Sequence, residues 1–160
     1  MNRGAVIPLV DEKYIDDLYR LRGAIQSMLA RDAARLATPA QVETLMAHCQ
    51  AYEDATQRND IAGCVESNRL LHAFLDGIGN NQIAVDLLQG RSSLVDAYRR
   101  AMGYGNNRQE TVIAQHRALA NAIAAKDEGL ATRLSLEHTD TSRTDLLAML
   151  RKSAAQRASA

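Results

Sequence analysis

Hydrophobic residues recur along this chain at steps of three, four and seven, the spacing of a helix that buries one face. Six such stripes follow one another, separated by short polar segments. They fall at about residues 12–36, 39–59, 61–79, 82–102, 108–126 and 128–150. Short connections between helices of similar length favour antiparallel neighbours. The pattern therefore predicts an all-α protein, an antiparallel bundle of about six helices.

Residues that cap helices stand at the ends of these stripes. Asp11 and Asp60 are each placed to cap the stripe that follows, and the segment 38–41, Thr-Pro-Ala-Gln, combines a cap, a first-turn proline and a capping-box glutamine. Gly79 is predicted to end the third helix in a left-handed conformation. Asp127 closes the fifth helix and caps the sixth, which predicts a helical hairpin folding at that residue.

Composition and charge narrow the class of protein. A chain of 160 residues is long enough for one domain with a sizeable core. Nineteen basic and nineteen acidic residues balance, and no predicted helix carries a basic stripe, so we expect these residues to bind neither DNA nor a membrane directly. Cys49 and Cys64 form no disulfide or metal-binding pattern, and no signal peptide or long apolar run is present. These features predict a cytoplasmic protein.

Three histidines are placed to meet inside the bundle. His116 lies 11 residues before Asp127 and His138 lies 11 residues after it, so the two stand at the same height in a hairpin folded there. Asn68 and His72 are four residues apart and share one face of the third helix with apolar residues. Three helices thus each offer an inward imidazole, and one of them adds an amide oxygen.

Two interpretations of these histidines remain open. Three imidazoles bind a divalent metal such as zinc, nickel or manganese and leave coordination positions for water or a ligand. Alternatively, each ring is a neutral, hydrogen-bonded core residue. The fourth histidine, His48, has no partner at a matching height and is predicted to be a surface or structural residue.

Several motifs resemble the FCD domain, the C-terminal ligand-binding domain of FadR-type regulators in the GntR superfamily. They are NRLLH at 68–72, GNN at 79–81, QHRALANAI at 115–123, KD at 126–127 and EH at 137–138. The separation of 22 residues between the last two histidines is also similar to the family pattern. The first predicted helix resembles the opening helix of that family, and the likeness spans about residues 14–150.

The resemblance implies a specific set of site residues. Its metal ligands fall on Asn68, His72, His116 and His138, and its effector-binding arginine falls on Arg22. Two positions differ, because the family usually has Asp at position 68 and Glu at position 26, where this chain has Asn68 and Gln26. An amide brings no charge, so the resemblance predicts weaker metal retention with a stronger pull on an anionic effector. The alternative is a member that has given up its metal.

The resemblance also implies a domain organisation. Residues 1–10 look like the end of a winged-helix domain and its linker, residues 11–152 like the effector-binding and dimerisation domain, and residues 153–160 are predicted to be a frayed tail. The expected function is to sense a small organic acid as a homodimer, with helices one and four at the interface. DNA would be contacted only by a winged helix preceding residue 1.

Two rival functions come from other classes. Three histidines with an open position also suit a metal-dependent hydrolase. That reaction needs a general base, and Glu137 projects about 100 degrees away from His138 around the helix, so no catalytic residue is assigned and no enzyme is predicted. The second rival is a metal-free structural dimerisation module. Arg99 and Arg100, near the end of the fourth helix, could reach a pocket, but arginines in such a position are more often solvated, and this is the prediction.

Overall fold

A computed structural model describes residues 11–105 and 107–158. All regular structure in these residues is helical. The six helices are α1 (Glu12–Leu36), α2 (Pro39–Gln57), α3 (Ile61–Ile78), α4 (Gln82–Met102), α5 (Arg108–Ala124) and α6 (Glu128–Ala158). This confirms the predicted all-α fold and its helix number. None of the described helices has the length and apolar character that a membrane span requires.

The helices pack around two main groups of buried apolar residues. α1 packs mainly against α6, while α2 packs against α3 and α5. The larger cluster joins α1, α2, α3, α5 and α6 through small and aliphatic side chains such as Ala33, Leu75 and Ile123. The second joins the beginning of α1 to α4 and α6 through Ile15, Val95 and others. Burial of this apolar surface is the main force that holds the bundle together.

Capping interactions set most helix starts, as the sequence predicts. The carboxylates of Asp11, Asp60 and Asp127 each accept a hydrogen bond from the backbone amide three residues later, at 2.7, 2.8 and 2.9 Å respectively. Thr38 and Gln41 form the predicted capping box, with reciprocal bonds of 3.3 and 2.8 Å. Each bond satisfies an amide that has no partner within its helix.

The end of α3 differs from the prediction. Gly79 has φ −61° and is right-handed, whereas Asn80 has φ 54° and takes the left-handed conformation. Asparagine adopts this conformation more readily than most residues. Gly79 is needed for another reason, because a Cβ atom at this position would lie 2.8 Å from the carbonyl oxygen of Leu29. It allows α3 to approach the backbone of α1 closely.

A pair of glycine variants tests this approach. We expect Gly79→Ala to destabilise the protein by about 1–3 kcal/mol, because the added methyl group must displace backbone atoms of α1. Gly77→Ala is the matched control, since nothing lies within 4 Å of a Cβ placed there. Alanine should stabilise that exposed helical position by about 0.5–1 kcal/mol. Equal free energies of urea unfolding for the two variants would show that the contact with Leu29 imposes no constraint.

The last helix continues past the predicted boundary. α6 runs to Ala158, so residues 153–158 are helical where a frayed tail was predicted from residue 153. The segment 1–10, predicted to be the end of a winged-helix domain, lies outside the described residues.

Candidate metal centre and acid pocket

The structure brings His72, His116 and His138 together from α3, α5 and α6. The centres of their rings are 4.9 to 5.4 Å apart. One nitrogen from each ring lies within 4.8 Å of the other two. His116 and His138 are buried and His72 is half-buried. The hairpin spacing and the face of α3 thus place the imidazoles as the sequence predicts.

Hydrogen bonds orient two of the rings. His138 Nδ1 lies 2.9 Å from Gln115 Oε1, and because an amide oxygen only accepts, this nitrogen carries the proton. Its Nε2 then has no proton and accepts a hydrogen bond from His72 Nε2 at 3.2 Å. Gln115 is held by a donated bond from Arg108, at 3.1 Å, and by its own bond to Thr141, at 3.3 Å. A partner that fixes the tautomer in this way is typical of metal-ligating histidines.

The third ring, that of His116, forms no hydrogen bond with any residue that the structure describes. Both nitrogens of His116 are buried without a partner among the described residues, and the ring meets Tyr52 edge-on with 5.1 Å between centres. An unpaired polar group in the interior is costly. A metal–imidazole bond of about 2.0–2.1 Å would satisfy one of these nitrogens while reaching the neighbouring rings. The donor set therefore fits a divalent metal better than a hydrogen-bonded core.

Asn68 and Gln26 lie beside the cluster. Half-buried Asn68 lines the same cavity as His72 and His138. Gln26 is buried, and its Nε2 lies 3.5 Å from His72 Nδ1. The two positions where the chain departs from the family pattern are thus both near the histidines. Neither amide adds negative charge.

Burial keeps the three imidazoles neutral. It lowers the pKa of His72 to about 3, with a further contribution from the positive charge of Arg22. Burial also holds the pKa values of His116 and His138 well below their usual range, and the neighbouring rings add to the effect. Neutral imidazole is the form that binds a metal, so the cluster is ready to do so at pH 7.

A cavity of about 50 Å³ opens beside the cluster, and its lining is strongly cationic. Three guanidinium groups, those of Arg22, Arg99 and Arg108, line it together with a single described carboxylate, Asp96. It shares several residues, Arg22 among them, with a neighbouring cavity of about 290 Å³ that Asp76 also lines. Burial raises the pKa of Asp96, while the neighbouring positive charge of Arg22 acts in the opposite direction. This environment suits a small anion.

Two of these arginines were not recognised from the sequence. The prediction that Arg99 is solvated was wrong, because its side chain is buried and paired with Asp145. The available signal was its position four residues after Val95, on the buried face of α4. Arg108 was not singled out, although it lies four residues before the buried Val112. Arg100, in contrast, is exposed as predicted.

Two other residues stay away from the cluster. His48 is half-buried and packs against Phe74, with 5.3 Å between ring centres. This agrees with its predicted structural role. Glu137 is exposed and takes no part in the cavity lining, as its place on the helix predicts.

Comparisons with known proteins agree with this architecture. The family model described as the FCD domain matches residues 17–141. The structure is similar to that of E. coli McbR/YncC, with a TM-score of 0.79 and 19% identity over 91% of this chain and 72% of that one. It is also similar to Streptococcus agalactiae GntR, with a TM-score of 0.73 and 21% identity over 85% of this chain and 62% of that one. No curated protein matches the chain in sequence.

Proposed function

The chain belongs to the FCD domain family, a family of ligand-sensing regulatory domains, and from this premise we propose that it binds a small organic acid at a metal-containing pocket. The observation that carries the proposal is the buried His116 ring. Its two nitrogens have no hydrogen-bond partner in the described part of the chain, and two further imidazoles lie next to it. Acid binding would set the arrangement of winged-helix DNA-binding domains attached to it. For this, the acid must bind one arrangement better than the other, typically by about 1–3 kcal/mol.

We propose His72, His116 and His138 as ligands of a divalent metal, zinc, nickel or manganese, with Asn68 adding an amide oxygen. A metal bound there would supply a Lewis-acid centre with open positions for an oxygen of the effector. Because Asn68 is uncharged, the site should hold its metal less tightly than a site with aspartate and attract an anion more strongly.

Arg22 is the proposed partner of the effector carboxylate. It lines both cavities, half-buried, with its guanidinium 5.9 Å from the ring centre of Tyr19. Within the described ranges no carboxylate lies at ion-pair distance from it, so its charge is available to a ligand. A planar guanidinium matches two carboxylate oxygens at once, which makes arginine well suited to this role.

Titration of metal-loaded protein with small organic acids, followed by calorimetry, tests this assignment. We expect at least one carboxylic acid to bind, and Arg22→Ala to weaken that binding by about ten- to a hundredfold, the value of a charge-assisted hydrogen bond of about 1.5–3 kcal/mol. Arg151→Ala is the matched control, because this arginine is exposed, pairs with Glu12 and lines neither cavity. Equal affinities for Arg22→Ala and wild type would refute the assignment, as would a failure of every acid to bind.

Hydrolysis is the rival from another class. Glu137 is exposed and therefore does not supply the general base that hydrolysis needs. Asp96 lines the cavity and is the carboxylate that a hydrolase would use as its base. Family membership and the three surrounding arginines favour binding over turnover. Incubation of metal-loaded protein with ester, amide and phosphate-ester substrates separates the two functions, since sensing predicts no consumption above that of free metal.

We further propose that the chain forms a homodimer through α1 and α4. Ile83 and Leu87 lie one turn apart on α4 and are 76% and 56% exposed, and Leu21 on α1 is 50% exposed. Large apolar side chains grouped on a helix face favour burial against a partner. A monomer in sedimentation at micromolar concentration would contradict this arrangement.

A further inference from the structure

Besides Arg22, two further guanidinium groups line the cavity, those of Arg99 and Arg108, and Asp145 pairs with only one of them. We infer that Arg108, together with Arg99, binds a second anionic group, so that the effector is a short acid with two anionic groups. This inference rests on the proposed function of the same pocket and adds the chemical class of its ligand.

Arg108 is a buried cation without an anionic partner. Its side chain is only 5% exposed. Its two terminal nitrogens donate to neutral groups, Gln115 Oε1 at 3.1 Å and Ser142 Oγ at 2.6 Å. Its Nε is buried with no acceptor, and no described carboxylate lies within ion-pair distance of it. A buried guanidinium left without an anion in this way is destabilising, and a bound anion would compensate its charge.

Arg99 brings a second guanidinium to the same place. It is 6% exposed, pairs with Asp145 at 2.5 Å and lies 5.0 Å from the ring centre of Tyr104. Its Nη2 also donates to the backbone oxygen of Ser142 at 3.1 Å, so Arg99 and Arg108 converge on one residue. Asp145 can neutralise only one of the two charges. One positive charge is left over beside the cavity.

This surplus charge and the charge of Arg22 come from different helices. Arg22 comes from α1, whereas Arg99 and Arg108 come from the end of α4 and the start of α5, and all three side chains line the cavity. Two cationic positions in one cavity predict two anionic groups on one ligand. At about 10–15 Å³ per water, a space of about 50 Å³ holds roughly four waters, which favours a short chain between those groups.

A purely structural role for Arg108 predicts a different result. Its bond to Gln115, which in turn holds His138, makes it a candidate positioning residue for the metal cluster. In that case, replacing Arg108 would lower the affinity for the metal. It would leave unchanged the ratio of affinities for acids with two and with one anionic group. Selectivity for the second anionic group is therefore the readout that separates ligand binding from positioning.

The test compares acids of equal length and different charge. Metal-loaded wild-type chain is titrated with succinate against butyrate, and with malonate against propionate. Phosphoglycolate against glycolate shows whether the second group is a phosphate or a carboxylate. We expect at least one acid with two anionic groups to bind at least tenfold more tightly than the acid with one anionic group to which it is compared. Arg108→Gln should reduce that ratio to about one, and Arg151→Gln, at an exposed arginine, should keep it.

Each outcome has a defined meaning. If monoanionic acids bind as tightly as their doubly anionic partners, the inference is overturned while the proposed function stands. If the ratio persists in Arg108→Gln and only its affinity for zinc alone falls, Arg108 is a positioning residue and the inference is again overturned. If no acid binds wild type, the proposed function fails as well. If Arg108→Gln does not fold, Arg108→Lys takes its place. This variant keeps the charge but loses the planar guanidinium, so it should retain only part of the ratio, and an undiminished ratio would overturn the inference.

Discussion

Added zinc or nickel is expected to raise the melting temperature of the wild-type chain by about 5–10 °C and to leave that of His116→Ala nearly unchanged. A ligand at a hundred times its dissociation constant stabilises the folded state by about 2.7 kcal/mol, and in a chain of this size each kcal/mol is about 2–4 °C. Among the described residues His116 has no hydrogen-bond partner, so its replacement should affect the metal site more than the hydrogen bonds around it.

The matched control is His48→Ala. His48 is a half-buried histidine that packs against Phe74, away from the cluster, so this variant should keep the full shift relative to its own metal-free form. A shift that survives in His116→Ala would place the metal elsewhere. Loss of the shift in His48→Ala as well would indicate binding to histidines in general rather than to the cluster.

The metal-free chain is expected to lose stability steeply as the pH falls from 6.5 towards 5. Burial lowers the pKa of His72 to about 3 and those of His116 and His138 well below the usual range, so the folded state stays neutral where the unfolded state takes up protons. Stability therefore decreases with falling pH, by about 1.4 kcal/mol per pH unit for each histidine.

One buried carboxyl group acts in the opposite direction. Burial raises the pKa of Asp76 to about 7, so between pH 4 and 6.5 the folded state holds a proton there that the unfolded state has released. This offsets about one of the three histidines, so stability falls less steeply with pH than the histidines alone would predict. Asp76→Asn, which removes the offset, should make the slope steeper.

Urea unfolding at pH 7, 6 and 5 in the presence of a chelator measures this slope. His116→Ala should reduce this slope by about the contribution of one histidine. A stability that is flat over this range would mean that the imidazoles are not buried as neutral groups.

Local chemistry explains why so much of the fold can be predicted from the sequence. Helix positions follow from apolar periodicity, and their starts follow from caps such as Thr38 and Asp127, which act within three residues. The histidine cluster could also be predicted. Asp127 marks the turn of a helical hairpin, and His116 and His138 lie at equal distances from it along the two helices, which places them at the same height.

The features that sequence analysis missed depend on contacts between helices. Arg99 is buried because α6 brings Asp145 and Ser142 to it, and neither residue is near it in sequence. Gln115 adjoins His116 in the chain yet fixes the tautomer of His138 across the hairpin. The need for Gly79 appears only when α1 and α3 are packed together. Such relations become visible only with the tertiary arrangement.

The metal content of untagged protein, purified without chelators and measured by elemental analysis, tests the central proposal most directly. We predict about one zinc, nickel or manganese ion per chain in wild type and none in His116→Ala. No metal in wild type, together with a failure of added zinc or nickel to bind, would contradict the metal-containing pocket. Asn68 would then mark a site that has lost its metal, and Arg22 and hydrogen bonds alone would hold the acid.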